Sequence, residues 1–215
     1  ALMLQNQTEE EFADSRFQVL SELTRLRQLC CDPALVYENY EGGSAKLDLC
    51  IELIQSAVES GHKILLFSQF TSMIEILTAR LQEESISYFV LQGSTKKEQR
   101  AQMVEQFNRD DTSVFCISLK AGGTGLNLTG ADIVIHYDPW WNVAVENQAT
   151  DRAHRIGQKN VVTVYKLIAK GTIEEKIIKL QQRKKELAEE ILSGDEIKTA
   201  SFQREELLEL LEERF

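Results

Sequence analysis

The chain has 215 residues, 43% hydrophobic and 27% charged, the proportions of an ordinary globular protein with material for one sizeable core and an appendage. No apolar run reaches the roughly 18 residues of a membrane span, and the formal net charge of −10 argues against a general nucleic-acid-binding module, which is usually basic overall. Lys96, Lys97, Arg100, Lys120, Arg152, Arg155 and Lys159 nevertheless fall near predicted loop ends, so a local basic groove on an acidic protein stays open. The cysteines Cys30, Cys31, Cys50 and Cys116 form no CxxC pair and no spaced His/Cys set. Reduced thiols, an intracellular compartment and no metal site are therefore expected. The N-terminus carries no secretory pattern, and the missing initiator Met predicts a piece of a longer chain.

From about Asp14 to Cys31, Phe17, Leu20, Leu23 and Leu26 or Arg27 recur at helical spacing, and Pro33 ends the run. Leu47, Ile51, Ile54 and Val58 predict a second helix, with Gly61 where a C-terminal glycine belongs. From Lys63 onward short apolar runs alternate with helices. Residues 64–67, 88–91, 114–117, 133–135 and 161–167 read as strands; helices follow at Ile74–Leu81, from a Thr95/Glu98 capping box to about Phe107, and from about Val143 to Arg155. Continuous apolar strands separated by helices indicate an α/β fold, a parallel sheet with helices on both faces, whose ligands collect at the carboxyl ends of the strands. Thr172 with Glu175 opens a last long helix with Ile173, Ile177, Leu180, Leu187 and Ile191 as its buried stripe; Gly194-Asp195 breaks it, and Leu207, Leu208, Leu211 and Phe215 predict a short amphipathic helix.

Four segments then fall at predicted strand ends. Ser68-Gln69 is a polar strand-to-helix turn. Gln92-Gly93-Ser94-Thr95-Lys96 combines a small-residue turn with a helix N-terminus and lysines, a plausible phosphate contact. In the stretch 118–132, Gly122, Gly123 and Gly125 let backbone N–H groups approach an anion, and Ser118, Lys120 and Thr124 add donors. A dinucleotide fingerprint fails there because Leu128 occupies the place of the third glycine, and no GxxxxGK[ST] phosphate loop occurs anywhere. This domain cannot by itself cradle ATP as P-loop enzymes do. The fourth segment is Asp138-Pro139-Trp140-Trp141-Asn142, followed by Asp151-Arg152-Ala153-His154-Arg155-Ile156-Gly157-Gln158, where Arg152 and Arg155 share one side of a helical turn and suit a phosphate.

The stretches 63–77, 118–132 and 151–158 resemble, in order, the fourth, fifth and sixth helicase motifs of the SWI/SNF family of DNA-dependent ATPases in superfamily 2. Residues 23–33 and 172–195 resemble family flanks, the latter a bracing helix. The resemblance is to the second of two RecA-like lobes. It implies three parts: a helical flank over 1–43 leading from a first lobe, the RecA-like lobe over 44–170, and a bracing helix with a short amphipathic helix over 171–215. It implies arginine fingers at Arg152 and Arg155, nucleotide contacts at Gly123, Gly125 and Gln158, and contacts to double-stranded DNA from Ser68, Gln69, Ser94, Lys120, Gly122 and Trp141. ATP and Mg2+ would be held mainly by the first lobe, so this piece alone is expected to be inactive. A DNA-bound protein is a further partner, and the compartment would be cytoplasmic in a prokaryote and nuclear in a eukaryote. The alternatives are a lobe of a superfamily 2 RNA helicase, which shares the fold and a similar arginine motif, and a non-catalytic RecA-like docking module.

Overall fold

Short apolar runs form the strands expected of them, the last a mixed run that ends in Lys166. β1 (Ile64–Ser68), β2 (Tyr88–Leu91), β3 (Val114–Ser118), β4 (Ile133–His136) and β5 (Thr163–Lys166) pair in the order β2-β3-β1-β4-β5, all parallel. The structure, a computed structural model, describes residues 9–119, 121, 126–155, 158, 160–191 and 210. The helices are α1 (Glu9–Cys31), α2 (Ala45–Glu59), α3 (Thr71–Glu83), α4 (Lys97–Arg109), α5 (Val143–Thr150) and α6 (Ile173–Ile191), with a short 3-10 turn at Pro33–Leu35.

Alternation along the central strands divides the core. Ile64 and Leu66, with Cys116 and Ile135, pack against Ile51, Ile54, Ile74 and Leu77 of α2 and α3. Leu65 and Phe67, with Phe115 and Val134, pack against Phe107 of α4, Ala149 of α5 and Leu119 and Leu128 between β3 and β4. Strands β1, β3 and β4 are buried throughout because both faces are covered. Leu23 of α1 joins Ile173, Ile177 and Leu180 of α6 and Leu210 in a third cluster, which docks the flanking helices on each other. Lys46, at the start of α2, donates to both oxygens of the buried Glu174 carboxylate at 2.7 and 2.5 Å, and the Ala169 N–H adds a third bond at 2.8 Å. That ion pair ties the last helix to the first turn of α2. Ser44 caps α2, and Gly61 (φ 79°) closes it in the left-handed conformation a side chain would resist. All four cysteines are free, and Cys116 lies in the core as its apolar run predicted.

Several boundaries differ from the sequence expectation. Helix α5 ends at Thr150 and the chain turns at Asp151, so Arg152 and Arg155 lie beyond the regular helix. The Thr95/Glu98 capping box does not form: Lys96 is the N-cap residue, and the Thr95 hydroxyl instead accepts from the Gln92 N–H at 3.0 Å. Strand β5 is exposed along its length, because it is an edge strand with a neighbour on one side only. On α1 the stripe is not purely apolar: Phe17 is 83% exposed and Leu26 41%, whereas Arg27 is 3% exposed. The side chains of Leu187 and Ile191, the Gly194-Asp195 break and the predicted helix around Leu207, Leu208, Leu211 and Phe215 lie outside the described residues.

His136 fastens α5 to the sheet. Its Nε2 lies 2.9 Å from the Thr150 hydroxyl, its ring stacks on Phe67 with centroids 5.5 Å apart, and burial pulls its pKa down from 6.5 to about 4. Between those values the unfolded chain binds the proton and the folded chain does not. Stability is therefore lost as pH falls from 6.5 toward 4, by up to about 3 kcal/mol from this group. Urea unfolding at a series of pH values is expected to show a shallower loss over that window for His136→Asn than for the wild type.

Candidate functional site

The parallel register aligns the carboxyl ends of the strands. Ser68 lies opposite Ser118, Leu91 opposite Ile117 and Phe67 opposite His136. The loops that follow these strands leave from one edge, the place where open α/β sheets bind ligands.

At that edge Asp138 is fully buried. It accepts from the Ser68 hydroxyl at 2.6 Å, from the Gln69 backbone N–H at 3.2 Å and from the Gln69 side-chain amide. Burial pushes the carboxyl above its ordinary pKa, opposed by the Ser68 hydrogen bond and the charge of Arg27. The Arg27 guanidinium comes from α1; it lies 3.9 Å from Asp138, donates to the Pro139 carbonyl at 2.8 Å and stacks over Trp141 at 4.5 Å and Phe70 at 5.6 Å. On the far side of the same loop the Trp140 N–H donates to the buried Glu146 carboxylate at 3.2 Å, and Gln181 of α6 donates to the Trp140 carbonyl. Lys166 of β5 pairs with Glu146. Both flanking helices thus grip the tryptophan loop.

Helix α5 carries the chain away from this edge and back across the sheet to the start of β5. There the arginine segment lies against the end of the glycine-rich stretch. The Leu128 N–H donates to the Arg152 carbonyl at 3.1 Å, and the Gln158 amide donates to Ala131 at 2.7 Å and Thr129 at 3.2 Å. Arg152 is 4% exposed, with its guanidinium 5.5 Å from the centre of the Phe67 ring, whereas Arg155 is exposed. Burial, and secondarily the like charge of Arg155, pulls the Arg152 pKa down to about 10. A desolvated guanidinium beside a second one makes a strong positive field, and an arriving anion relieves the repulsion.

The predicted site residues therefore divide. Ser94 is exposed on the loop before α4, and Trp141 is partly exposed under Arg27. The Ser68 side chain departs from expectation: it is fully buried and committed to Asp138, as a short polar side chain beside a buried carboxylate must be. Gln69 is half-buried with its amide on the same carboxylate. Gln158 spends its amide on backbone carbonyls, which makes it a strap between 129–131 and the arginine segment. Lys120, Gly122, Gly123 and Gly125 lie outside the described residues. Arg27, Glu146 and Gln181 were not singled out as site residues from the sequence. The only signal for Arg27 was its competition with Leu26 for one position of a helical stripe.

A doubly covered five-stranded parallel sheet with an arginine segment strapped to residues 128–131 defines an α/β lobe of the doubly wound class. Residues 45–157, just over half of the chain, match the helicase conserved C-terminal domain family. Over 202 residues the chain is 45% identical to an uncharacterized ATP-dependent helicase of Mycoplasma pneumoniae, covering 92% of this chain and 19% of that protein. It is 44% identical over 169 residues to the human chromatin-remodeling ATPase INO80, covering 78% of this chain and 11% of that protein. Among solved structures, the Sulfolobus solfataricus SWI2/SNF2 ATPase C-terminal domain superposes with a TM-score of 0.69 at 35% identity over 92% of this chain and 82% of that one. The ATPase core of the same name in complex with double-stranded DNA gives a TM-score of 0.74 at 34% identity over 97% of this chain and 44% of that one. The chain belongs to the helicase conserved C-terminal domain family, as a C-terminal RecA-like lobe of the SWI2/SNF2 type. It spans about a fifth of the length of the bacterial relatives it matches. Among the described residues no helix is long and apolar enough to cross a membrane.

The buried carboxylate sets a stability test. Arg27→Met leaves Asp138 without its nearest cation and is expected to cost about 3–5 kcal/mol. Asp138→Asn keeps one oxygen for the Ser68 hydroxyl and the Gln69 backbone N–H, turns the other acceptor into an NH2 facing the Gln69 amide and Arg27, and removes the buried negative charge, so it is expected to cost less. Urea midpoints of the two variants, compared with the wild type, check the order.

Proposed function

We propose that this chain is the second motor lobe of an ATP-dependent double-stranded DNA translocase or remodeller, acting on ATP and Mg2+ held mainly by a first lobe. One observation carries the reading. The exposed guanidinium of Arg155 stands beside the desolvated Arg152 in a segment strapped to residues 128–131. The charges of such a pair are already placed and partly dehydrated, so little reorganisation is needed when charge grows on transferring phosphoryl oxygens.

In this reading Arg155 reaches across the cleft as the finger. Arg152, assigned to the same role from sequence, acts from its buried place by strengthening the field and holding the segment. Gln158 keeps that segment against 129–131, and Gly123 and Gly125 complete the nucleotide side. Gln69, Ser94, Lys120, Gly122 and Trp141 grip DNA mainly through its phosphates, with Ser68 acting through Asp138. Backbone contacts hold a strand without reading its sequence, as movement along any DNA requires. The helicase relatives, and the similar core solved with double-stranded DNA, support this assignment.

Steady-state ATP hydrolysis by the protein that joins this lobe to its first lobe tests the reading. Duplex DNA is expected to stimulate turnover and RNA to do so weakly. Arg155→Ala is expected to lower turnover by about 10³-fold with the lobe's thermal midpoint unchanged, and wild-type turnover in that variant would overturn the assignment. The 215-residue chain alone is expected to hydrolyse ATP no faster than the buffer blank; robust turnover by it would sink the split-site argument.

A further inference from the structure

Helix α4 holds the stretch between β3 and β4 from both of its ends. At its first turns, Arg100 makes four hydrogen bonds to backbone carbonyls. Three reach the loop before the helix: Thr95 at 2.8 Å, Gln92 at 3.2 Å and Gly93 at 3.1 Å. The fourth crosses to Ala121, after β3, at 2.8 Å. At the other end of the helix Asn108 uses both halves of its amide. Its Nδ2 donates to the Asn127 carbonyl at 2.8 Å and its Oδ1 accepts from the Gly130 N–H at 2.9 Å. The contact is close enough that a Cβ on Gly130 would stand 3.0 Å from the Asn108 side-chain oxygen and 3.1 Å from its Cα. Between those anchors, Leu128 donates to the Arg152 carbonyl at 3.1 Å. The helix itself is pinned, since Lys63 at the foot of β1 donates to the Phe107 carbonyl and, at 2.6 Å, to that of Asp110.

We propose that Arg100 and Asn108 are positioning residues of the motor reaction, joining the loop at Gln92–Thr95 to the arginine segment through a helix that acts as a rigid strut. The inference rests on the function proposed above, in which Ser94 lies on the DNA side and Arg155 on the nucleotide side. The two anchors are separated by about 12 Å of helix. A displacement of the loop is thereby passed to Ala121 by Arg100 and, through α4, to Asn127 and Gly130 by Asn108. Leu128, one residue after Asn127 and two before Gly130, is bonded to Arg152. Neither role is met by charge alone. Lysine has no planar fork to serve two loops, and an Asn108 replacement without both a donor and an acceptor leaves one side of Leu128 unanchored.

The test uses the two-lobe protein as wild type, Arg100→Lys, Asn108→Ala and Arg155→Ala. The quantity read is the ratio of ATP turnover at saturating duplex DNA to turnover without DNA, alongside hydrogen exchange at the Leu128 amide. Arg100→Lys and Asn108→Ala are each expected to lower the ratio about tenfold or more. Asn108→Ala is also expected to speed Leu128 exchange, and Arg100→Lys to keep the wild-type thermal midpoint. A wild-type ratio in both variants, a ratio that falls only in step with a lowered midpoint, or unchanged Leu128 exchange in Asn108→Ala would overturn the strut. If Arg155→Ala keeps full turnover, the finger assignment falls instead, and the Leu128 exchange still decides whether Asn108 holds the segment.

Discussion

The carboxylate of Asp138 is the constraint on which the rest of the site depends. A charge taken wholly out of water is costly unless its lone pairs are met and its charge is paired; here Ser68 and Gln69 donate to it and Arg27 stands 3.9 Å away as the counter-charge. Satisfying one buried group therefore fixes the turn after β1, the loop after β4 and the orientation of α1 together. Gln181 and Glu146 hold Trp140, two residues after Asp138, from the other side. The start of α5 is consequently set by both flanking helices, and with it the path of the chain to the arginines. Flanks that in sequence look like appendages are parts of the site's scaffold.

A second feature is the separation of charge by depth. The chain as a whole is acidic, yet Arg152 is buried beside an apolar ring while Arg155 faces out. In a low-dielectric setting a fixed guanidinium acts more strongly than on the surface. The strap from Gln158 to Ala131 and the bond from Leu128 to Arg152 keep this charge from relaxing outward.

Much of the fold was legible in the sequence because the burial of a central parallel strand leaves few choices. Ile64 to Phe67 and Val114 to Ile117 must be covered on both faces, and helices with apolar stripes lie between them. What misled was local. Thr95 and Glu98 have the spacing of a capping box, but the Thr95 hydroxyl is drawn to Gln92 by the turn. The apolar run at 161–167 reads as a buried strand, yet lies at the sheet edge, a matter of strand order that periodicity does not carry. Ser68 and Gln69 look like free polar groups at a strand end only while Asp138, 70 residues away in the chain, is out of view.

By itself the sequence determined the parallel α/β core, the order of the motifs and the absence of a phosphate loop, since each rests on residue type and short spacing. Tertiary structure alone decided which of Arg152 and Arg155 is buried, which polar residues of the strand ends are consumed by Asp138, and that Arg27, Arg100, Asn108 and Gln181 serve the loops around them. Those outcomes depend on contacts between residues far apart in the chain. A hydrogen-bonding side chain is committed by whatever folding brings within about 3 Å of it, and no local pattern records that.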